Sequence, residues 1–185
     1  MTTNFALVIG GSGMLSGASV WLSENGYEVY VVGRRADKLE QLRGQSKCPE
    51  TIHGIAVDYE DTERFRGGLS RVLERAGRIP SLVVSWIHGT APDAQSVLIN
   101  LLETYDINTP WALIHVQGSA RFFQKENTPV PANCLYRRVY LGFIRHGRHS
   151  RWLTHDEISS GVIQAIASKQ NESVIGTLEP WDMRP

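Results

Sequence analysis

The chain has 185 residues with 19 basic and 19 acidic side chains, so it has the size of one domain and no net charge. No overall field recruits nucleic acid or an anionic membrane, and we expect neither as a partner. Hydrophobic residues make up 42% of the chain, and no apolar run approaches the ~20 residues that span a bilayer. Residues 1–4 lack the character of an export signal, so we expect a cytoplasmic protein with one domain over residues 1–185. The two cysteines, Cys48 and Cys134, have no zinc-ligand spacing, and we expect no metal.

A glycine-rich turn follows the first predicted strand, an apolar run over residues 5–9. In the pattern Gly-x-Gly-x-x-Gly the first glycine makes a tight turn, the second lets the backbone approach a pyrophosphate, and the third lets the helix pack on the strand. Gly11 and Gly13 take the first two positions and Ser16 the third, while an alternative spacing starts one residue earlier and ends on the same serine. Backbone amides at the helix start are therefore predicted to bind a dinucleotide pyrophosphate. The residues predicted to form this site are Gly10, Gly11, Ser12, Gly13, Met14 and Leu15.

Strands and helices are predicted to alternate through the first half of the chain. Each strand is a short apolar run of the kind that is buried on both faces of a parallel sheet. The further strands are predicted at residues 28–32, 51–57 and 81–86. Helices are predicted from apolar side chains at helical spacing, over residues 14–25, 36–43 and 61–76 and from Pro92 onwards.

The second half continues this alternation less regularly. A strand is predicted at residues 111–116, where His115 is interpreted as a core residue, and two prolines favour a loop over residues 118–133. Strands at residues 136–144 and 174–178 flank a helix that Thr154 is predicted to cap. We interpret the basic stretch 145–151 as a solvated loop, with a clamp for an anionic substrate as the alternative.

The sum of these elements predicts an α/β fold with a doubly wound, mostly parallel sheet, a Rossmann fold. About seven strands are expected in the order 3-2-1-4-5-6-7. The ligand crevice is then expected outside the carboxyl ends of the strands.

The glycine turn, residues 33–39 and the pair Val57-Asp58 resemble the short-chain dehydrogenase/reductase family. In that family an acidic residue after the second strand favours NAD, whereas basic residues receive the 2′-phosphate of NADP. Here Gly33 leaves room for Arg34 and Arg35, so the resemblance implies NADP(H). The alternative is that both arginines are solvated. The family also places an adenine contact at Asp58, for which a helix cap or turn residue is the alternative.

The family's Asn-Asn-Ala-Gly segment after the fourth strand is replaced by Trp86, Ile87, His88 and Gly89. The resemblance implies that Trp86 and Ile87 contact the cofactor and that His88 lies close to the nicotinamide riboside. Histidine titrates near neutrality, so His88 is the candidate proton donor, with a structural role as the alternative.

The catalytic Tyr-x-x-x-Lys of the family occurs nowhere in the sequence, although Ser119 matches its catalytic serine in position. We therefore expect an atypical NADP(H)-dependent reductase that transfers hydride to a small-molecule C=N, C=C or C=O acceptor. The alternative is a non-catalytic NADP(H) sensor or regulatory protein. The resemblance further implies a homodimer or homotetramer.

Overall fold

The computed structural model describes residues 4–124 and 127–185. Residues 1–3, on which the expectation about export rests in part, lie outside these ranges. The strands are β1 (Asn4–Ile9), β2 (Tyr27–Gly33), β3 (Ile52–Ala56), β4 (Leu82–Trp86), β5 (Trp111–Gly118), β6 (Cys134–Leu141), β7 (Phe143–His146), β8 (His149–Trp152) and β9 (Glu172–Ile175). The α-helices are α1 (Ser16–Glu24), α2 (Ala36–Gln45), α3 (Thr62–Ala76), α4 (Ala94–Tyr105), α5 (Ser119–Gln124) and α6 (His155–Ser168).

Seven parallel strands form the central sheet in the order β3-β2-β1-β4-β5-β6-β9. This confirms the predicted fold class and strand order. The last strand of the sheet is numbered β9, and not β7, because β7 and β8 form a separate hairpin before it. The order reverses between β1 and β4, and an open sheet of this kind binds ligands at such a switch point.

Alternate side chains of the buried strands enter two separate cores, one on each face of the sheet. Leu7 of β1 packs in one core with Phe65 of α3. Val8, the next residue, packs in the other core with Ala18 of α1 and Val162 of α6. Burial on both faces explains why these strands are continuous apolar runs.

The chain after β5 departs from the sequence prediction. Residues 118–133 do not form one loop, because the six-residue helix α5 begins at Ser119. Phe122 of this helix packs edge-on against Tyr140 of β6, with 5.2 Å between ring centroids. This tertiary contact, which local sequence does not report, fixes the short helix. Residues 125–126 of the predicted loop lie outside the described ranges.

The predicted strand 136–144 is two strands, because the chain breaks at Gly142. A Cβ on Gly142 would lie 2.2 Å from the carbonyl oxygen of Thr177, so only glycine fits between β6 and the segment after β9. The basic stretch is not a loop but an antiparallel hairpin of β7 and β8, which turns at Gly147 with φ +60°. The last sheet strand also begins and ends earlier than predicted, at residues 172–175.

The predicted cap of α6 is confirmed. Thr154 Oγ1 accepts a hydrogen bond from the backbone N–H of Glu157, and the Glu157 carboxylate accepts one from the Thr154 N–H. This reciprocal pair is a capping box. Of the helices in residues 4–124 and 127–185, none is long and apolar enough to cross a membrane.

Candidate active site

Gly10 makes the tight turn at the end of β1. Its φ is +77°, its N–H donates to the carbonyl of Val32 at 3.0 Å, and a Cβ would lie 2.8 Å from the carbonyl oxygen of Trp86. Any other residue would be both strained and in collision with β4. The tight-turn position is therefore Gly10, as in the alternative spacing, and not Gly11.

Gly11 and Gly13 have different surroundings. A Cβ on Gly11 would lie within 2.8 Å of Ser19 Oγ and of methyl groups of Val31 and Val8, so this glycine lets the helix approach the sheet. A Cβ on Gly13 would meet nothing closer than the Gly10 carbonyl oxygen, 4.0 Å away. The turn is thus closed on its protein side at Gly11 and open on its outer side at Gly13.

The open side of the turn carries backbone donors without partners. Among the described residues, the N–H groups of Ser12, Met14 and Leu15 make no hydrogen bond. Helix α1 also begins without a side-chain cap and without an acidic residue in its first turn. Ser159 Oγ of α6 donates to the Met14 carbonyl at 2.9 Å, and Ser19 Oγ donates to the Leu15 carbonyl at 3.1 Å. Carbonyls held inward with amides left free are what a pyrophosphate requires at a helix N-terminus.

The end of β2 lies directly beside the turn, where a Cβ on Gly33 would collide with Ser12 Oγ at 2.5 Å. The two arginines that follow are not equivalent. Arg35 donates through Nε and Nη2 to the two carboxylate oxygens of Asp37. This hydrogen bonding raises the pKa of Arg35 and lowers the pKa of Asp37. Arg34 is exposed and makes no ion pair or hydrogen bond within the described residues, so its guanidinium is available to a phosphate beside Gly33.

Asp58 follows β3 and forms a turn. One of its carboxylate oxygens accepts the Glu60 N–H at 3.0 Å, while the neighbouring Asp61 caps α3 by accepting from Arg64 N–H at 3.1 Å. The turn interpretation of Asp58 thus holds, and its contact with adenine stays a prediction.

A cavity of about 370 Å³ lies at the carboxyl ends of β4 and β5. Trp86 joins it to the glycine turn, because this residue contacts the Gly10 position on one side and lines the cavity on the other. The cavity is lined by residues 86–89, Pro92, residues 115–118, Ala120, Arg121 and Thr128. Trp86, Ile87 and His88 therefore line one cavity, and their predicted roles toward a cofactor stay predictions.

His88 stands at the mouth of this cavity in a network of polar side chains. Its Nδ1 lies 3.3 Å from Thr90 Oγ1, and that hydroxyl donates to Glu60 Oε1 at 2.5 Å. The backbone N–H of His88 donates to the Tyr59 hydroxyl at 3.3 Å. Sequence reasoning missed Thr90 and Glu60, because they come from two segments that only the fold brings together.

His115 also lines the cavity, although the sequence predicts it to be a core residue. Its Nδ1 lies 2.9 Å from the Tyr136 hydroxyl, which donates in turn to Thr128 Oγ1 at 3.2 Å. Burial, followed by the charges of Arg121 and Arg138, lowers the pKa of His115 to about 4. This histidine is neutral at pH 7 and presents an uncharged ring to the cavity.

Ser119 is the first residue of α5 and is only 6% exposed. Its neighbours Gly118 and Ala120 line the cavity, whereas Ser119 itself does not. A catalytic role for Ser119 stays a prediction.

Two arginines of the basic hairpin form hydrogen bonds within the protein, one of them to α6. Arg151 donates to both carboxylate oxygens of Glu157 at 2.8 Å, and Arg145 Nε donates to the Gly147 carbonyl. In the part of the chain that the structure describes, no group of three or more histidine, cysteine or acidic residues could hold a metal ion.

Comparison with known proteins identifies the fold. No family model matches the chain, and no curated protein does. Among solved structures, an Aeromonas hydrophila protein described as a short chain dehydrogenase/reductase family oxidoreductase is 16% identical with a TM-score of 0.68, over 94% of this chain and 98% of that one. YwfH, an NADPH dependent reductase involved in bacilysin biosynthesis, is 14% identical with a TM-score of 0.68, over 95% and 100%. An actinorhodin polyketide ketoreductase solved with NADPH is 11% identical with a TM-score of 0.67, over 95% and 97%. The chain has the fold of these short-chain dehydrogenase/reductase structures.

Proposed function

We propose that the protein is an NADP(H)-dependent reductase that transfers hydride to a small-molecule C=N, C=C or C=O acceptor. The observation that carries the proposal is the glycine turn, whose unpaired amides and open Gly13 lie beside Gly33 and the unpaired Arg34. Two of the similar structures are described as an NADPH dependent reductase and as a ketoreductase with NADPH, which supports the choice of cofactor.

The residues of the site fit the parts of such a cofactor. The N–H groups of Ser12, Met14 and Leu15 would hold the pyrophosphate, because each lacks another acceptor. Arg34 would pair with the 2′-phosphate, as a guanidinium does in charge-assisted hydrogen bonds. Asp58 would contact the adenine.

At the other end of the site, Trp86 and Ile87 would contact the nicotinamide riboside and His88 would donate the proton that accompanies reduction. Nicotinamide supplies the hydride when it is bound. The cavity between β4 and β5 is where the acceptor would lie, with His88 at its mouth. Ser119 is kept as the proposed orienting group on its sequence position alone, because Gly118 and Ala120, and not Ser119, line the cavity.

A non-catalytic NADP(H) sensor is the second candidate. It is favoured by the absence of Tyr-x-x-x-Lys from the sequence and by the shortness of α5, which spans six residues. A sensor would keep the binding residues and lack turnover.

Loss of NADPH absorbance in the presence of imine, quinone, enone and ketone acceptors tests the proposal. We expect turnover of at least one class, and His88→Asn should lower kcat by about 10²- to 10⁴-fold while NADPH affinity is kept. His149→Asn, on the exposed hairpin, is the matched control and should be unchanged. Binding without turnover of any acceptor would favour the sensor, and absence of binding would overturn both candidates.

A further inference from the structure

We infer that Thr90 and Glu60 are positioning residues that keep a proton on Nδ1 of His88, so that only Nε2 exchanges protons with a bound acceptor. This rests on the proposed function for the role of His88, but the arrangement itself is a property of the protein alone. It is carried by two contacts at Nδ1 of the imidazole ring, by the hydrogen bond between Thr90 and Glu60, and by two hydrogen bonds of the His88 backbone.

The Thr90 hydroxyl is hydrogen-bonded to Glu60. It lies 2.5 Å from Glu60 Oε1, within the short range of O–H···O⁻ hydrogen bonds between a hydroxyl and a carboxylate. A hydroxyl has one proton, and here that proton points to Glu60. Toward any other neighbour the Thr90 oxygen can therefore act only as an acceptor.

His88 Nδ1 has two contacts that require opposite protonation states of this nitrogen. Thr90 Oγ1, 3.3 Å away, can accept only from a protonated Nδ1. The Thr90 backbone N–H, 3.4 Å away, can donate only to a bare Nδ1. Glu60 polarises the Thr90 hydroxyl and makes its oxygen a better acceptor, which favours the protonated nitrogen.

The backbone holds the ring beside Thr90. The His88 N–H donates to Tyr59 OH at 3.3 Å, and the His88 carbonyl accepts from Ala91 N–H at 3.0 Å. The loop after β4 is thus tied at both peptide groups, once across to the loop after β3 and once within its own turn. These two hydrogen bonds keep the His88 ring close to the Thr90 hydroxyl.

The other ionisable groups near His88 come from the two neighbouring segments. Tyr59 and Glu60 approach from the loop after β3, while His115 and Arg121 line the cavity from β5 and α5. His115 is neutral at pH 7, so Glu60 is the anion that the His88 network contacts.

In the proposed reaction the acceptor would receive a hydride from NADPH and a proton from Nε2 of the His88 imidazolium. The neutral ring that remains would keep its proton on Nδ1, hydrogen-bonded to Thr90 Oγ1. One proton from bulk solvent would then restore Nε2–H, so that the cycle consumes one solvent proton and leaves the Thr90–Glu60 pair unchanged.

The tautomer of His88 in the protein without cofactor tests the inference. Long-range ¹H–¹⁵N spectra at about pH 9, where an ordinary histidine is neutral, distinguish a protonated from a bare ring nitrogen. The cross-peaks are assigned by their loss in His88→Asn. We expect Nδ1 to be protonated in the unsubstituted protein.

Three variants complete the test. In Thr90→Val the backbone N–H is the contact left at Nδ1, so the proton should move to Nε2. Thr90→Ser should keep the original tautomer, and Glu60→Gln should shift the population toward Nε2. Unchanged cross-peaks of the other five histidines show that each variant is folded.

A bare Nδ1 in the unsubstituted protein, or a tautomer that Thr90→Val leaves unaltered, would overturn the inference. Failure of the proposed function is separate, because absence of NADPH binding or turnover leaves the tautomer measurement intact.

Discussion

The proposed cofactor end of the crevice, around β1 and β2, differs from the proposed acceptor end, around β4 and β5, in whether backbone or side-chain groups form the site. At the cofactor end the groups are backbone amides. Their positions depend on close packing at Gly10, Gly11 and Gly33, where a Cβ would collide with neighbouring atoms. At the acceptor end they are side chains, such as His88 and Glu60, from separate loops. A backbone site leaves a glycine pattern within one short segment, whereas a side-chain site leaves no local pattern.

The difference has a consequence for stability as well as for chemistry. The turn is tied to α6 by Ser159 and to the sheet by close glycine contacts, so residues of the proposed cofactor site also contribute to folding. The acceptor end is partly exposed at His88 and Thr90, and its side chains can change with less effect on the fold.

Two glycines of the turn, Gly11 and Gly13, separate binding from folding most strongly. Gly13→Trp fills open space, so it should weaken NADPH at least about 100-fold, which is ~2.7 kcal/mol, with little change in unfolding free energy. Gly11→Val collides with Ser19, Val31 and Val8 and should cost about 1–3 kcal/mol of stability. Fluorescence titration and urea unfolding of both variants measure the two effects.

Gly44→Ala, whose Cβ meets nothing within 4 Å, is the control for a harmless substitution. If Gly13→Trp binds NADPH normally, the open side of the turn is not the cofactor site.

The neutral His115 makes the acceptor end sensitive to acid. Its folded pKa of about 4 lies below the ordinary value of 6.5, so the unfolded chain takes up the proton first. The free energy of unfolding should therefore fall as pH drops from 6.5 to 4, by about 3 kcal/mol from this group, and no further below pH 4. Urea unfolding at pH 7 and pH 4 measures this loss.

His115→Phe removes the titrating group. Between pH 7 and pH 4 its free energy of unfolding should therefore fall by about 3 kcal/mol less than that of the unsubstituted protein. Equal losses in the two proteins would mean that His115 is not held neutral. His149→Asn serves as the exposed control.

The choice between NADPH and NADH depends on Arg34 in this account. Arg34→Ala should raise the Kd of NADPH about tenfold, ~1.4 kcal/mol, and leave NADH unchanged. Arg35→Ala should have a smaller effect, because Asp37 already holds that guanidinium. Titration of both variants with both cofactors checks the prediction, with Arg148→Ala as a surface control. Equal weakening of NADPH and NADH would remove Arg34 from the 2′-phosphate.

The sheet could be predicted from sequence because its strands are buried on both faces and are therefore continuous apolar runs. The order of all seven sheet strands followed from the alternation of these runs with helices. The glycine turn could be located as well, although only the structure assigns the tight turn to Gly10.

What could not be predicted depends on contacts between distant segments. Helix α5 is held by Phe122 against Tyr140, and β6 ends where Gly142 passes Thr177. The network of His88 joins loops about 30 residues apart in sequence. Period and composition carry no record of such contacts.

Binding of NADPH to the unsubstituted protein tests the central claim most directly. Trp86 lies against the glycine turn, so tryptophan fluorescence should report the titration. We predict saturable binding well below millimolar, with NADPH tighter than NADH. No saturation up to millimolar NADPH would contradict the account.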